Sequence, residues 1–426
     1  MSQSLLIDRI GELTTNDETG DVGAGRASAR PDGRLSDAAV VVTDGVISWV
    51  GPSADAPAAD TRFDAAGRAL LPGWVDSHTH LVFAGDRTAE FEARMAGEAY
   101  AAGGINVTVA ATRAASDAEL EANLARLVAE ARGGGTTTIE TKTGYGLTVA
   151  DEVRAARIAG AHVDAVTFLG AHVVPAGADP DEYLALVTGP MLDAVAPHVS
   201  AVDVFCEDGA FDRAASARVL AAARERGLAT RVHGNQLGHG PGVQLAVEYG
   251  ALSVDHVGFL DDADVAALAD SWPGGGGAGG AGAGGAGARG TVATVLPACD
   301  LSTRMPLAPA KRLLDAGAQI AIASNGNPGT SYTSSMAFCV ATAVLQMGLT
   351  ISEAVRAATL GGAIALGIDE DGWLDPRGVA QPRVGVIAPG ARADLHLLAA
   401  PSTTHLAYRP GMPLTAAVWR AGTQVL

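Results

Sequence analysis

Short apolar runs separated by turn residues mark both ends of this chain. Near the N-terminus they cover residues 4–7, 38–43 and 46–50. Asp44-Gly45 separates the last two runs, and a D-G pair between β-branched segments predicts a hairpin. Similar runs return at residues 384–390, 393–398 and 416–420. We therefore predict that residues 1–66 and 372–426 together form one small domain, a β-sandwich.

The pattern changes between residues 67 and 371, where apolar runs alternate with Ala- and Leu-rich stretches. Eight runs have the composition of buried strands: 69–75, 136–141, 163–171, 202–205, 230–232, 252–254, 292–296 and 320–323. Helical patterns lie between most of them: 117–132, 150–159, 181–195, 213–226, 242–249, 261–270 and 308–316. This alternation predicts an α/β protein with a closed (β/α)8 TIM-type barrel.

An open doubly wound sheet is the alternative arrangement of the same elements. No G-x-G-x-x-G follows the first run, which removes one reason to prefer it. Two further helices are predicted after the eighth run, at 334–346 and 352–359. Residues 273–290 consist almost entirely of Gly and Ala. Such a segment buries little, so we predict a flexible loop there.

Composition and charge narrow the possible partners. The net charge of −18 argues against a nucleic-acid backbone as partner. No apolar run is long enough to span a membrane, and no signal peptide is visible. Three scattered cysteines indicate a reducing compartment. We expect a cytoplasmic protein with a small-molecule substrate, and a homodimer is possible.

Candidate chemistry appears at the ends of the predicted strands, where barrel enzymes build their active sites. Five of the ten histidines lie there: His78 and His80 after run one, His172 after run three, His233 after run five and His256 after run six. Residues i and i+2 of an extended chain point the same way, so His78 and His80 can direct two imidazoles at one point. The alternative is that these are ordinary polar residues, but their clustering at strand ends favours a metal site.

These motifs resemble the amidohydrolase superfamily. Within it, the chain is similar to the imidazolonepropionase family in Pro72–Arg87, Thr143-Gly144-Tyr145-Gly146, Thr167–His172, His233-Gly234-Asn235-Gln236 and Asn327-Pro328-Gly329. The resemblance implies hydrolysis of 4-imidazolone-5-propanoate to N-formimidoyl-L-glutamate in histidine degradation. It also implies one divalent ion, zinc or iron, that activates water.

The resemblance assigns roles to individual residues. Metal ligands would be His78, His80, His233 and the residue after strand eight, Asn325. Gln236 and His256 would act in catalysis. Substrate contacts would come from Arg87, Tyr145, His172, Gln236, Asn327, Gly329 and Thr330.

Several of these residues have a simpler explanation. Arg87 lies near Asp86 and Glu90 and could be an ordinary ion-pair residue. Tyr145 could pack on a turn, and His256 could be a core histidine. Glu207, which ends run four, could line the pocket or form a salt bridge. Lys142 ends run two, and we interpret it as structural rather than as a bridge between two metals.

Asn325 is a departure from the family pattern, which places a metal-binding aspartate at this position. An amide oxygen can ligate a metal, but it is neutral and cannot accept a proton from water. His256 is then the best candidate for the general base. Two alternative functions remain. One is another cyclic-amide or amidine hydrolase, such as a formimidoylglutamate deiminase, and the other is a binding protein whose catalysis is impaired by Asn325.

Overall fold

The computed structural model describes residues 3–17, 34–97, 104–273 and 289–426. The predicted flexible loop at 273–290 lies almost wholly outside these residues. The chain begins with five strands: β1 Ser4–Thr14, β2 Arg34–Thr43, β3 Val46–Pro52, β4 Thr61–Asp64 and β5 Ala69–Pro72. Eight strands follow in the middle of the chain: β6 Trp74–Asp76, β7 Thr136–Lys142, β8 Ala165–Ala171, β9 Ala201–Cys206, β10 Ala229–Gly234, β11 Ser253–His256, β12 Val292–Val295 and β13 Ile320–Ile322. The last strands are β14 Trp373–Leu374, β15 Ala380–Gln381, β16 Leu395–Leu398, β17 Thr415–Arg420 and β18 Thr423–Gln424.

Strands β6 to β13 form one parallel sheet in sequence order. Its two outer strands approach each other through the residues that follow them. The Asn325 backbone N–H donates to the His78 carbonyl at 3.0 Å, and the Ser324 N–H donates to the Asp76 carboxylate at 2.9 Å. The sheet is therefore a nearly closed barrel, and the predicted (β/α)8 architecture is confirmed.

Helices surround the barrel. Their bounds are α1 Thr88–Met95, α2 Ile105–Ala114, α3 Asp117–Gly133, α4 Val149–Gly160, α5 Pro180–Leu186, α6 Leu192–Val195, α7 Arg213–Glu225, α8 Gly242–Glu248, α9 Asp262–Asp270, α10 Pro297–Thr303, α11 Ala310–Asp315, α12 Met336–Gln346, α13 Ile351–Arg356, α14 Gly362–Leu366 and α15 His405–Tyr408. Several begin at a side-chain cap, such as the reciprocal Ser116–Glu119 pair before α3, which satisfies backbone donors that the first turn leaves free. None of the helices in the described ranges combines the length and apolarity needed to cross a membrane.

One predicted helix is interrupted. The pattern at 181–195 predicts a continuous helix, but a π-helical segment, Val187–Met191, separates α5 from α6. Gly189 has a non-helical backbone there (φ −119°, ψ −105°). Pro190 follows it and has no backbone N–H to continue the helical hydrogen bonding.

The two ends of the chain meet in a mixed sheet with the order β18-β17-β16-β5-β1-β2-β3, and β4 also pairs with β1. The D-G hairpin is present, because Thr43 pairs with Val46 across Asp44 and Gly45. The small β domain is thus confirmed, although these eight strands are hydrogen-bonded into one sheet rather than two. Its apolar core includes Ile7, Ile10, Leu395 and Trp419.

The first predicted barrel strand, 69–75, is two strands in two different sheets. β5 pairs with β16 and β1 in the terminal sheet, whereas β6 pairs with β7 in the barrel. Pro72 ends the first ladder because it has no N–H to donate. A Cβ at Gly73 would lie 2.2 Å from the Thr137 side chain, so only glycine fits where the chain changes sheets. The boundary predicted at residue 66 therefore precedes the last N-terminal strand of the terminal sheet.

Residues 384–390 are not the strand that their pattern predicts. Gly385 and Gly390 have φ of +84° and +88°, which breaks an extended backbone. A Cβ on Gly385 would lie 2.8 Å from the Leu360 backbone. The segment is a connecting loop, fixed by the Ile387 N–H that donates to the Thr15 carbonyl at 2.8 Å.

Candidate metal centre

Three imidazoles converge at the carboxyl ends of the barrel strands. His78 and His80 follow β6, and His233 lies in β10. The Nε2 atoms of His78 and His80 are 3.2 Å apart, and those of His80 and His233 are 3.4 Å apart. Their ligand atoms all lie within 4.8 Å of one another. The structure thus brings together the three histidines that the sequence predicts as ligands.

Carboxylates behind the imidazoles set the direction of their lone pairs. Nδ1 of His78 lies 2.7 Å from Asp255 Oδ2, and Nδ1 of His233 lies 3.0 Å from Asp203 Oδ1. The hydrogen bond to Asp255 keeps the proton of His78 on Nδ1, so its Nε2 lone pair faces the cluster. The negative charge of Asp203 favours the same tautomer in His233. His80 Nε2 lies within hydrogen-bond distance of both other Nε2 atoms, so the three nitrogens can share a proton or bind a cation.

The spacing and protonation of the cluster fit a metal ion. Nitrogen ligands about 2.0–2.1 Å from a tetrahedral zinc stand roughly 3.4 Å from one another. Burial lowers the pKa of His78 and His80 well below the usual value. Both rings are therefore neutral at pH 7, as metal ligands must be.

Asn325 follows β13 and lies next to His78 and His80, the histidines that follow β6. Its side chain is buried, and its Nδ2 donates to Thr330 Oγ1 at 3.2 Å. Its Oδ1 is buried and has no hydrogen-bond partner among the described residues. A buried acceptor without a partner is costly, and a bound cation would satisfy it. Asn325 also has a φ of +68°, a left-handed conformation that asparagine tolerates better than most residues.

A cavity of about 710 Å³, counted out to its open mouth, lies against these side chains. Its walls include most of the predicted substrate and catalytic residues: Arg87, Tyr145, His172, Gln236, His256, Asn327 and Thr330. Gly329 borders a neighbouring outer groove instead. Its backbone N–H donates to Asn327 Oδ1 at 2.8 Å, as does that of Thr330. This fixes the turn on which the three residues stand.

His172 and Tyr145 form one side of the cavity. The His172 ring stacks on His80 at 5.5 Å with a 23° interplanar angle. Its Nδ1 lies 3.0 Å from the Gly144 carbonyl. A carbonyl oxygen can only accept, so the ring proton is on Nδ1 and Nε2 is unprotonated. Burial lowers the pKa of His172 to about 3, so the ring is neutral. Tyr145 is also buried, with its ring 5.5 Å from that of His172.

Gln236 and His256 occupy the inner end of the cavity. Glu207 accepts the backbone N–H groups of Gln236 at 2.5 Å and Leu237 at 3.3 Å. It therefore holds the Gln236 backbone, a role that neither interpretation of Glu207 from the sequence included. The His256 ring is 5.3 Å from His233 and 5.6 Å from His78. Its Nδ1 is buried without a partner in the described part of the chain.

Arg87 lies between the cavity and the outer groove, and it is both an ion-pair residue and a cavity residue. Its Nε and one terminal nitrogen donate to the two oxygens of Glu90, at 2.8 and 2.7 Å. Arg94 donates to the same carboxylate at 3.0 Å and to the Gly329 carbonyl at 2.8 Å. A Cβ on Gly329 would meet the Arg87 guanidinium, so a side chain at this position would displace that guanidinium.

A layer of charged residues lies behind the histidines, and its role is not predicted from the sequence. It consists of Glu140, Lys142, Asp203, Arg231 and Asp255, all buried. Lys142 lies 3.0 Å from Glu140 and 2.9 Å from Asp203, which supports its interpretation as a structural residue. The sequence does carry a sign of this layer, because charged residues stand inside otherwise apolar strands, as in Thr-Arg-Val-His and Val-Asp-His.

Comparison with known proteins agrees with this fold. The model of the amidohydrolase family matches residues 69–425, so the chain belongs to the amidohydrolase family. Imidazolonepropionase from Saccharopolyspora erythraea is 63% identical over 422 residues, covering 99% of both chains. The one from Paenarthrobacter aurescens is 62% identical, covering 100% of this chain and 99% of the relative. Within the amidohydrolases, the chain therefore belongs with the imidazolonepropionases.

Solved structures of lower identity share the fold. A zinc-bound adenosine deaminase from Xanthomonas campestris aligns with a TM-score of 0.69 at 21% identity, over 100% of this chain and 93% of the other. A zinc complex of atrazine chlorohydrolase from Arthrobacter aurescens aligns with a TM-score of 0.67 at 16% identity, over 99% and 95%. At these identities the likeness concerns the fold alone.

Proposed function

We propose that this protein hydrolyses the ring of 4-imidazolone-5-propanoate to N-formimidoyl-L-glutamate, a step of histidine degradation. The observation that carries this proposal is the cavity itself. It joins a three-histidine cluster to a buried arginine, so one small molecule could contact both. The full-length identity to imidazolonepropionases supports this substrate.

One divalent ion, zinc or iron, would be held by His78, His80 and His233, with Asn325 Oδ1 as a further ligand. Such an ion acts as a Lewis acid and lowers the pKa of water toward about 7. The neutral rings of His78 and His80, the convergence of the three histidines and the partnerless amide oxygen of Asn325 support this ligand set.

The remaining cavity residues would bind and orient the substrate. The Arg87 guanidinium would pair with the propanoate carboxylate. Tyr145 and His172 would contact the ring from one side, and Gln236 from the inner end. Asn327, Gly329 and Thr330 would line the side nearest Arg87.

Proton transfer would fall to His256. Asn325 cannot accept a proton, whereas the His256 imidazole is neutral because burial lowers its pKa well below the usual value. Its Nδ1 has no partner in the described part of the chain, so it could take a proton from water and return it to the leaving ring nitrogen.

The compartment belongs to this proposal as well. All three cysteines are free, which supports the reducing environment of the cytoplasm.

Product analysis tests the proposed reaction. Purified, metal-loaded protein is incubated with 4-imidazolone-5-propanoate, and the products are identified by mass spectrometry. We expect N-formimidoyl-L-glutamate. Release of ammonia from formimidoylglutamate would instead indicate a deiminase. Substrate binding without ring opening would indicate a binding protein and contradict the proposed activity.

A further inference from the structure

The proposed metal ligands carry no formal negative charge. His78, His80 and His233 contribute neutral imidazole nitrogens, and Asn325 contributes a neutral amide oxygen. A divalent cation in a buried site needs compensating charge, because taking an unpaired ion out of water is expensive. The described residues around the cluster therefore have to supply that charge from outside the ligand set.

The buried layer behind the histidines has the required sign. It contains three carboxylates, Glu140, Asp203 and Asp255, against two cations, Lys142 and Arg231. The excess is one negative charge. Asp76 also lies nearby, where its carboxylate accepts from the Ser324 N–H and hydroxyl, and the excess is counted without it.

Asp255 is the member of this layer in closest contact with a ligand. Its Oδ2 lies 2.7 Å from Nδ1 of His78 and 3.2 Å from Arg231. Lys142 is farther away, 3.9 Å from the same oxygen. Asp255 would therefore act on the metal through the His78 ring, because a carboxylate hydrogen-bonded to a ligand histidine makes that ligand more basic.

Glu140 and Arg231 hold the backbone of the H-x-H segment. Glu140 Oε2 accepts the Thr79 N–H at 3.1 Å, and Arg231 donates to the Ser77 carbonyl at 2.7 Å. The charged layer and the ligand segment are thus joined by direct hydrogen bonds, which hold the charge of this layer close to the ligand nitrogens.

We propose that Asp255 is a positioning residue, an inference that rests on the proposed metal centre. Through His78, Asp255 supplies the negative charge that an aspartate at position 325 would otherwise provide. The metal affinity of this site then depends on Asp255 more than on any charge among the ligands.

The test measures zinc affinity by competition with a fluorescent chelator, with no substrate present. Asp255→Asn keeps the size of the side chain and an oxygen that can accept from His78, so it removes charge while preserving the contact. We expect affinity to fall about 10- to 100-fold. The double variant Asp255→Asn/Asn325→Asp moves the charge into the ligand set and should recover most of the loss.

Asp164→Asn is the matched control. Asp164 is equally buried and ion-paired, to Arg392 at 3.2 Å and Arg420 at 2.8 Å, but it precedes β8 at the opposite end of the barrel. Its loss should lower stability and leave zinc affinity unchanged.

Three results would overturn the proposal: unchanged affinity in Asp255→Asn, no recovery in the double variant, or an equal loss in Asp164→Asn. A parent protein that binds neither zinc nor iron would instead contradict the metal centre of the proposed function.

Discussion

The Arg87 guanidinium both pairs with Glu90 and lines the cavity. One edge is held by both oxygens of Glu90, and the residue also lines the cavity. Glu90 serves two buried arginines, because Arg94 donates to it as well. The Arg87 guanidinium is therefore shared between Glu90 and the cavity, where it is suited to attract a substrate carboxylate.

Glu90→Gln should therefore weaken substrate binding more than turnover. The amide cannot accept from two arginines as a carboxylate does, so Arg87 loses its fixed orientation. Charge-assisted hydrogen bonds contribute about 1.5–3 kcal/mol, which corresponds to a KM increase of roughly tenfold or more. Steady-state kinetics with 4-imidazolone-5-propanoate measures this increase. Glu92→Gln, an exposed neighbour in α1, is the control, and an equal KM in the two variants would refute the role of Glu90.

The sequence predicts where the site histidines lie, but not which carboxylates contact them. His78, His80, His172, His233 and His256 follow apolar runs directly, so the barrel rule places them at one face. Asp203 lies within such a run and Asp255 directly follows one, and a lone acid at either place does not reveal its partner. Their roles depend on contacts between neighbouring strands, which only the folded barrel defines.

Gly73 is the element-scale feature that joins the two sheets. The chain passes from β5 in the terminal sheet to β6 in the barrel across this one residue. The Gly73 N–H donates to the Asp394 carbonyl of the terminal sheet at 3.0 Å, and the Trp74 N–H donates to the Gly135 carbonyl of the barrel at 2.9 Å. His78 and His80 therefore owe their position to a connection only one residue long.

Gly73→Ala should destabilise the protein. The added methyl would meet Thr137, and overpacking of this kind costs about 1–3 kcal/mol. The melting temperature in a thermal scan should fall accordingly. Gly133→Ala is the control, since a Cβ there meets nothing within 4 Å. Equal melting temperatures for Gly73→Ala and the parent would show that the connection between β5 and β6 tolerates a side chain.

Element boundaries were the weak part of the sequence prediction. Residues 69–75 form an unbroken apolar pattern although they serve two sheets, because both sheets bury them. Residues 384–390 have strand-like residues, yet Gly385 and Gly390 adopt positive φ, and Gly385 lies against the Leu360 backbone. In both places the tertiary contact, rather than the local pattern, decides the conformation.

Buried polar groups join the terminal sheet to barrel strands β6 and β7. Arg392 donates to Asp394 at 2.6 Å within the terminal segment and to Thr138 of β7 at 2.8 Å. His396 of β16 packs its ring 5.3 Å from Trp74 of β6. Burial lowers the pKa of His396 to about 3, so the folded protein keeps this ring neutral.

His396 should make the molecule sensitive to acid. The unfolded chain binds a proton near pH 6.5, whereas the folded chain does so only near pH 3. The stability contributed by the neutral ring is thus complete above pH 6.5 and is lost as pH falls toward 3, by about 2 kcal/mol at pH 5. His396→Gln should reduce the difference in unfolding free energy between pH 7 and pH 5 by that amount. Urea denaturation at both pH values measures it, with exposed His239→Gln as control, and an unchanged difference in His396→Gln would contradict this account.

The most direct test of the central claim is a metal titration of the demetallated protein, followed by ring opening of 4-imidazolone-5-propanoate. We predict that activity rises with added zinc or iron and stops rising at one equivalent per chain. In His78→Ala the bound metal and the activity should be lost together. Full activity in metal-free protein, or a metal-loaded protein that never opens the ring, would contradict the account.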